Sequence, residues 1–218
     1  MMELPFADTT TLIGISLLIG ILALDTTIAF QVLISHPIFS CSILGFVLGD
    51  FTQGVEIGIM MQLLWLNIVP AGAAVFPEGN TASMVTCAAV LLLSSLGYPN
   101  LVLTVAFLIG IGVSYLGAWL TVKDRKLNDR ILRLTLKAAE HASFKKIILL
   151  DVGSIFLYLV LMSCLAFLGI IAAEFILHYS AGFHPLAQEK SLVFVKPTIW
   201  GIGLFLTGQL FYNALRKR

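Results

Sequence analysis

The chain has 218 residues and a formal net charge of +1, with 59% apolar and only 11% charged residues. A water-soluble domain of this size would have to expose much of that apolar surface. The composition therefore excludes a water-soluble domain and indicates an all-α, polytopic membrane protein. The acidic and polar start, "MMELPFADTTT", lacks the basic region of a signal peptide, and no removable leader is expected.

Seven apolar segments follow one another along the chain. Eight of the 13 basic residues lie together between the fifth and sixth segments, and residues 1–122 contain no Lys or Arg. The positive-inside rule therefore predicts that residues 123–146 and the C-terminus, 216–218, lie in the cytoplasm. A basic run between membrane spans is not expected to bind nucleic acid. The segments are 10–24, 38–49, 57–69, 82–96, 101–122, 147–178 and 192–212.

These segments predict a single membrane domain that spans residues 1–218. Its parts would be an acidic, site-bearing half (1–122), a basic cytoplasmic loop (123–146) and a region with two further transmembrane segments (147–218).

Two of the apolar segments, 38–49 and 57–69, are too short to cross a bilayer, which takes about 20 residues. Backbone that stops partway through a membrane persists only where it is buried in protein or lines a wet cavity. Transporters place substrate sites at such broken helices. The sequence therefore predicts re-entrant helical hairpins, with Pro70 ending the second short helix. Short helices that merely fill space remain the alternative.

Glycine spacing predicts that these two segments pack closely. Gly45 and Gly49, and then Gly54 and Gly58, form two small-xxx-small pairs. Such pairs allow helix backbones to approach each other in lipid.

Three acidic residues lie in or beside the apolar segments of the first half. Asp25 follows fifteen mostly apolar residues and has no basic residue among the first 122 as a partner. An ionisable group in a membrane is a candidate for function, although an interfacial helix cap is the alternative for Asp25. Asp50 follows a glycine at a turn, which favours a helix cap. Glu56 lies early in the next segment, where a role at the helix dipole and a role in substrate binding both remain open.

Amide side chains and one tryptophan point to sugar recognition in the same region. Gln31, Gln62 and Asn67 supply both donors and acceptors, as vicinal sugar hydroxyls require. Trp65 offers a flat apolar surface for a pyranose ring, and it shares a helical face with Gln62. Hydrogen bonds between helices and an interfacial tryptophan are the alternative. The candidate substrate-binding residues are Asp25, Gln31, Gln62, Trp65 and Asn67.

The sequence predicts no catalytic residues, no metal site and no cofactor. The histidines do not stand near cysteines or carboxylates in zinc spacing, and the three cysteines lie in apolar runs as small hydrophobic residues would. Walker and nucleophile-elbow motifs are absent from the sequence. A protein that is not an enzyme by itself is therefore expected.

One long stretch resembles a known family. It reads "LDTTIAFQVLISHPIFSCSILGFVLGDFTQGVEIGIMMQLLWLNIVPAGAAVFPEGNTAS". It is similar to Enzyme IIC, the membrane subunit of mannose-type phosphotransferase systems (PTS), a family that transports mannose, fructose, sorbose or N-acetylgalactosamine. The matching positions are Leu24-Asp25, Gln31, Ser35, Pro37, Gly45, Gly49-Asp50, Gly54, Gly58, Leu63-Leu64-Trp65-Leu66, Pro70, Gly72-Ala73-Ala74, Pro77 and Glu78.

The resemblance implies a sugar-translocating permease subunit in the bacterial inner membrane. Such a subunit works in a hetero-oligomer with a second membrane subunit, Enzyme IID, and cytoplasmic Enzymes IIA and IIB phosphorylate the sugar as it enters. The phosphorylated residues of such systems lie on IIA and IIB. The companion membrane subunit would then supply positive charge to the acidic half of this chain. A sugar facilitator or sugar receptor without phosphotransfer is the alternative.

Two residues depart from the family pattern near the candidate site. His36 stands where arginine is usual before Pro37, and Gln62 stands where glutamate is usual before Leu63. An amide in place of a carboxylate favours recognition of neutral hydroxyls over pairing with a cationic amino sugar.

Overall fold

In the computed structural model, the structure describes residues 8–68, 75–181 and 185–216, and these residues form helices joined by short turns, without strands. The all-α fold is confirmed. The elements are α1 (Thr9–Thr27), α2 (Pro37–Leu48), α3 (Phe51–Trp65), α4 (Gly79–Leu92), a 3₁₀ turn (Ser94–Leu96), α5 (Pro99–Glu140), α6 (Phe144–Ala181), α7 (Pro185–Ser191) and α8 (Val195–Arg216).

Helix lengths divide the described elements into two classes. Four helical stretches are long and apolar enough to span a membrane, namely α1, α5, α6 and the stretch that contains α8. By contrast, α2, α3 and α4 have 12, 15 and 14 residues. They are therefore about 18–22 Å long at 1.5 Å per residue, against a hydrocarbon core of about 30 Å. The prediction of short, non-spanning helices is confirmed for α2 and α3, and α4 is a third one. Pro70 lies outside the described residues.

Helices α2 and α3 form the predicted hairpin. Gly49 ends α2 in the left-handed conformation, with φ of 87°, and the Asp50 carboxylate accepts a hydrogen bond of 2.9 Å from the Gln53 N–H, as expected for a cap. A methyl group at Gly45 would meet the Gly54 Cα at 2.8 Å, and one at Gly54 would meet the Cys41 carbonyl oxygen at 2.6 Å. The close approach predicted from glycine spacing is therefore confirmed, although Gly49 serves the turn and not the contact.

Helix α4 lies at the centre of the bundle. Every residue from Thr81 to Leu91 is buried, and the helix contacts α1, α2, α3, α5 and α6. A helix that stops partway through a membrane keeps its end groups away from lipid only if other helices surround it. The burial of α4 provides that surrounding.

The predicted basic loop is mostly helical in the structure. Helix α5 continues for 42 residues to Glu140, and α6 begins at Phe144 after a turn in which Ala142 has φ of 50°. Residues 123–140 contain no proline or glycine and many good helix formers, so the membrane helix continues past the apolar segment. At 1.5 Å per residue α5 is about 63 Å long, twice the hydrocarbon thickness.

The N-terminal end of α5 is held by hydrogen bonds to α7. The Glu189 carboxylate accepts hydrogen bonds from the backbone N–H groups of Asn100 (3.0 Å) and Leu101 (2.9 Å) and from the Asn100 side-chain amide (2.6 Å). An acidic group is favoured at a helix N-terminus, where free N–H groups and the helix dipole are positive. We call this part of the bundle the hairpin end; it comprises the turn between α2 and α3, α7, and the first turns of α5 and α8.

Candidate functional site

A cavity of about 870 Å³ lies between the C-terminal ends of α1 and α3, the N-terminal ends of α2 and α4, and one side of α5. We call this region the cavity end. A second depression of about 460 Å³ lies on the outer face of the hairpin and has an almost wholly apolar lining. Only the larger one combines its size with converging polar groups, as small-molecule sites do. Its polar lining comprises Asp25, Thr26, Thr27, Gln31, Ser35, His36, Gln62, Trp65, Glu78, Asn80, Thr121 and Arg125.

The position of the cavity along α5 gives its depth. Arg125 lies 26 residues after Pro99, which is about 39 Å along the helix and beyond a hydrocarbon core of about 30 Å. Trp119 is 56% exposed, and the centre of its ring lies 5.1 Å from the Lys123 amine. Tryptophan favours the membrane interface. The cavity therefore extends to the membrane surface from which the basic part of α5 projects.

Asp25 holds the loop between α1 and α2 in place. Its carboxylate accepts hydrogen bonds from the backbone N–H groups of Val32 (2.7 Å) and Ser35 (3.0 Å), and the residue is only 5% exposed. In this loop Phe30 and Leu33 have positive φ, as does Gln31, and non-glycine residues adopt this conformation only under constraint. Asp25 thus lines the cavity and also supplies that constraint.

Gln62 and Trp65 line the cavity, and each carries a buried polar atom that is unpaired within the described residues. The Gln62 amide nitrogen lies 3.4 Å from His36 Nδ1, but its oxygen is buried without a hydrogen-bond partner in the described part of the chain. The indole nitrogen of Trp65 is buried in the same condition. Each unpaired buried group costs about 1–3 kcal/mol, so a hydroxyl that reached these atoms would remove a penalty.

The start of α4 completes this wall of the cavity. The Asn80 amide donates weak hydrogen bonds to Thr26 Oγ1 (3.4 Å) and Ser35 Oγ (3.3 Å). Gly79 lies under the Trp65 ring, and a methyl group there would meet ring carbons at 2.7 Å. Glycine is therefore needed at this position for the tryptophan to lie flat against α4.

The structure brings four of the five predicted residues to the cavity and separates the fifth. Asp25, Gln31, Gln62 and Trp65 line it, although Gln31 is exposed and donates its amide to the Thr27 carbonyl at 3.3 Å. Asn67 lies outside the lining, and its amide donates to the Leu206 carbonyl in α8 at 3.1 Å. The residue comes just after α3 ends, so it no longer shares the helical face of Gln62 and Trp65.

Several lining residues were not among the sequence-based candidates. Glu78 and Asn80 follow the break after α3 and flank the start of α4, a position typical of a broken-helix site that could have identified them. Arg125 could not be singled out, because it is one of eight basic residues in a run. Only the packing of α5 against the cavity distinguishes it.

Part of the positive charge near the acidic half comes from within the chain. Lys196 in α8 forms an ion pair with Glu56 in α3, with 2.7 Å between Nζ and Oε1. Arg125 acts electrostatically on Glu78 across the cavity. The first 122 residues contain no lysine or arginine, and the fold brings these later basic residues to them.

A family model described as "PTS system sorbose-specific iic component" matches residues 9–181. The chain belongs to this family. The resemblance found in the sequence is therefore confirmed, and the chain is a multi-pass membrane protein.

Two relatives of this chain carry the name of a sugar. It is 31% identical over 120 residues to the sorbose-specific EIIC component of Klebsiella pneumoniae, covering 55% of this chain and 43% of the relative. It is 28% identical over 122 residues to the mannose-specific EIIC component of Escherichia coli strain K12, covering 56% of this chain and 44% of the relative. The chain thus aligns with less than half the length of either relative.

Two solved structures share the fold of this chain. One is a chain of the cryo-EM structure of the mannose transporter ManYZ and microcin E492 (MceA) complex, with a TM-score of 0.64 and 21% identity, covering 96% of this chain and 81% of that one. The other is described as a membrane protein, with a TM-score of 0.68 and 21% identity, covering 93% and 80% of the two chains.

Proposed function

We propose that this chain is the sugar-translocating Enzyme IIC of a mannose-type PTS, and that the cavity between α1–α4 and α5 binds a hexose-type sugar. The observation that carries the proposal is the pair of unpaired polar atoms, on Gln62 and Trp65, in the wall of a cavity of about 870 Å³. An acceptor and a donor on one helical turn match neighbouring sugar hydroxyls, and the indole ring matches the apolar face of the sugar.

The chain would act as a non-catalytic subunit in a bacterial inner membrane. The names of its relatives, specific for sorbose and for mannose, support a sugar substrate. A IID-like membrane subunit would complete the permease, and cytoplasmic IIA and IIB proteins would phosphorylate the sugar. The basic extension of α5 supports a cytoplasmic location for residues 123–146, so that the cavity opens toward those partners.

An uncoupled sugar facilitator or a sugar receptor would use the same cavity without phosphotransfer. Family membership favours the coupled permease. Sugar uptake in cells that lack IIA and IIB distinguishes the coupled permease from a facilitator, because only a facilitator would continue to admit unmodified sugar.

The test of the binding site is equilibrium binding of a hexose panel that includes mannose and sorbose. We expect Gln62→Ala, and also Trp65→Phe, which keeps an aromatic ring, to weaken binding about tenfold to a hundredfold. Asn67→Ala is the matched control, because it removes an amide that points at α8 and not at the cavity. Equal losses for Gln62→Ala and Asn67→Ala, or unchanged affinity in both cavity variants, would refute the site.

A further inference from the structure

Arg125 contributes a permanent positive charge to the lining of the cavity. Among the described residues that line it, Arg125 is the only lysine or arginine, whereas Asp25 and Glu78 contribute carboxylates. The side chain is half-buried on α5, at the membrane surface where the cavity ends.

The guanidinium group lies among carboxylates but forms no direct bond with them in the described part of the chain. Within the described ranges, Arg125 makes neither a hydrogen bond nor a close ion pair, although it acts electrostatically on Glu78 and Asp124. Asp25 uses both carboxylate oxygens on backbone N–H groups, and one oxygen of Asp124 accepts from the Asn128 amide at 3.0 Å. Among the described residues, the donors of Arg125 therefore have no hydrogen-bond acceptor and could bind a ligand.

A guanidinium group matches one kind of ligand group particularly well. Its planar fork of N–H donors binds phosphate oxygens in a bidentate manner, more specifically than a lysine does. A neutral sugar does not need such a partner, but a sugar phosphate carries a charge of about −1.5 to −2 at neutral pH. In a cavity lined by Asp25 and Glu78 that charge would be repelled unless a cation compensated for it.

We infer that Arg125 binds the phosphoryl group of a sugar phosphate that occupies the same cavity as the sugar. The inference rests on the proposed function and adds a second ligand class to its site. The sugar moiety contacts Gln62 and Trp65, and the phosphoryl group points toward Arg125 at the mouth of the cavity. A product held in this way is already at the membrane surface from which it leaves.

A counterion role for Arg125 is the competing explanation, and competition binding separates the two. The purified chain, or its complex with the companion subunit, is loaded with the labelled hexose that binds best. It is then titrated with the 6-phosphate of that hexose, with its 1-phosphate and with inorganic phosphate. We expect Arg125→Gln to weaken binding of the better sugar phosphate about tenfold to a hundredfold, while affinity for the free hexose changes less than about threefold.

Two further variants keep the result interpretable. Lys126→Gln removes the same charge from the exposed neighbouring position and should leave sugar-phosphate affinity unchanged. Arg125→Lys retains the charge without the fork and should give an intermediate loss, and it serves alone if Arg125→Gln does not fold.

The outcomes distinguish this inference from the proposed function. Equal losses for sugar and sugar phosphate in Arg125→Gln, or no competition by either sugar phosphate in the wild type, overturn the phosphate role while sugar binding stands. The same holds if Lys126→Gln weakens sugar-phosphate binding as much as Arg125→Gln does. A wild-type protein that binds no hexose overturns the proposed function itself.

Discussion

At the hairpin end of the bundle, acidic side chains have partners: Asp50 caps α3, Glu56 pairs with Lys196, and Glu189 accepts three hydrogen bonds at the start of α5. At the cavity end, by contrast, Gln62 and Trp65 keep unpaired polar atoms in the described part of the chain. Since an unpaired buried group costs stability, the satisfied end stabilises the fold and the unsatisfied end has its polar groups available for a ligand.

Asp25 lines the cavity, yet its carboxylate is fully hydrogen-bonded, as at the hairpin end. Its loss should therefore have the largest effect on stability. Asp25→Ala would leave the N–H groups of Val32 and Ser35 without their acceptor beside a loop with several positive-φ residues. We expect a loss of about 3 kcal/mol in the free energy of unfolding and loss of measurable sugar binding. Denaturation in detergent, followed by hexose binding on the folded fraction, measures both. Wild-type stability in Asp25→Ala would mean that the loop does not depend on the carboxylate.

A smaller effect, confined to stability, is expected at the hairpin end. Glu189→Ala removes the acceptor for Asn100 and Leu101 at the first turn of α5, far along the helix from the cavity. The loss of such a cap should cost about 1 kcal/mol and leave hexose affinity unchanged. The midpoint of thermal denaturation and a binding isotherm check the two parts. A matching fall in sugar affinity would show that the two ends are coupled and would break the comparison.

The sequence could predict the features that follow from local chemistry. Apolar segment lengths predicted short helices, glycine spacing predicted the contact between α2 and α3, and a glycine-acid pair predicted the cap at Asp50. The sequence also singled out Asp25, Gln31, Gln62 and Trp65, which are four of the residues that line the cavity.

Features that depend on distant packing could not be predicted. The ion pair between Glu56 and Lys196 joins residues 140 positions apart. The amide of Asn67 donates to a carbonyl group in α8 and so does not line the cavity. The course of residues 123–140 was also missed, because a basic run was interpreted by its charge and not by its helix propensity. Partners distant in sequence, and continuation of a helix past the membrane, are decided by the tertiary structure.

The smallest effect on stability, and the sharpest form of the comparison, is expected at Gln62. Gln62→Met keeps a long unbranched side chain but removes the unpaired amide oxygen, together with a long contact to His36. Because removing an unsatisfied polar group also removes its penalty, the free energy of unfolding should change by less than about 0.5 kcal/mol. Hexose affinity should nevertheless fall at least about tenfold, since the hydroxyl partner is gone.

The matched substitution at the hairpin end is Asn100→Leu. The side-chain amide of Asn100 donates a hydrogen bond of 2.6 Å to Glu189. That change breaks one satisfied contact and keeps the two backbone hydrogen bonds to Glu189, so it should cost about 0.5–1 kcal/mol in stability and leave hexose affinity intact. Denaturation curves and binding isotherms on the same preparations compare the two variants directly. If Gln62→Met destabilises the protein as much as Asn100→Leu does, the amide of Gln62 has a partner in the membrane-embedded protein. The cavity end would then be as fully satisfied as the hairpin end, and its polar atoms would no longer indicate where a sugar binds.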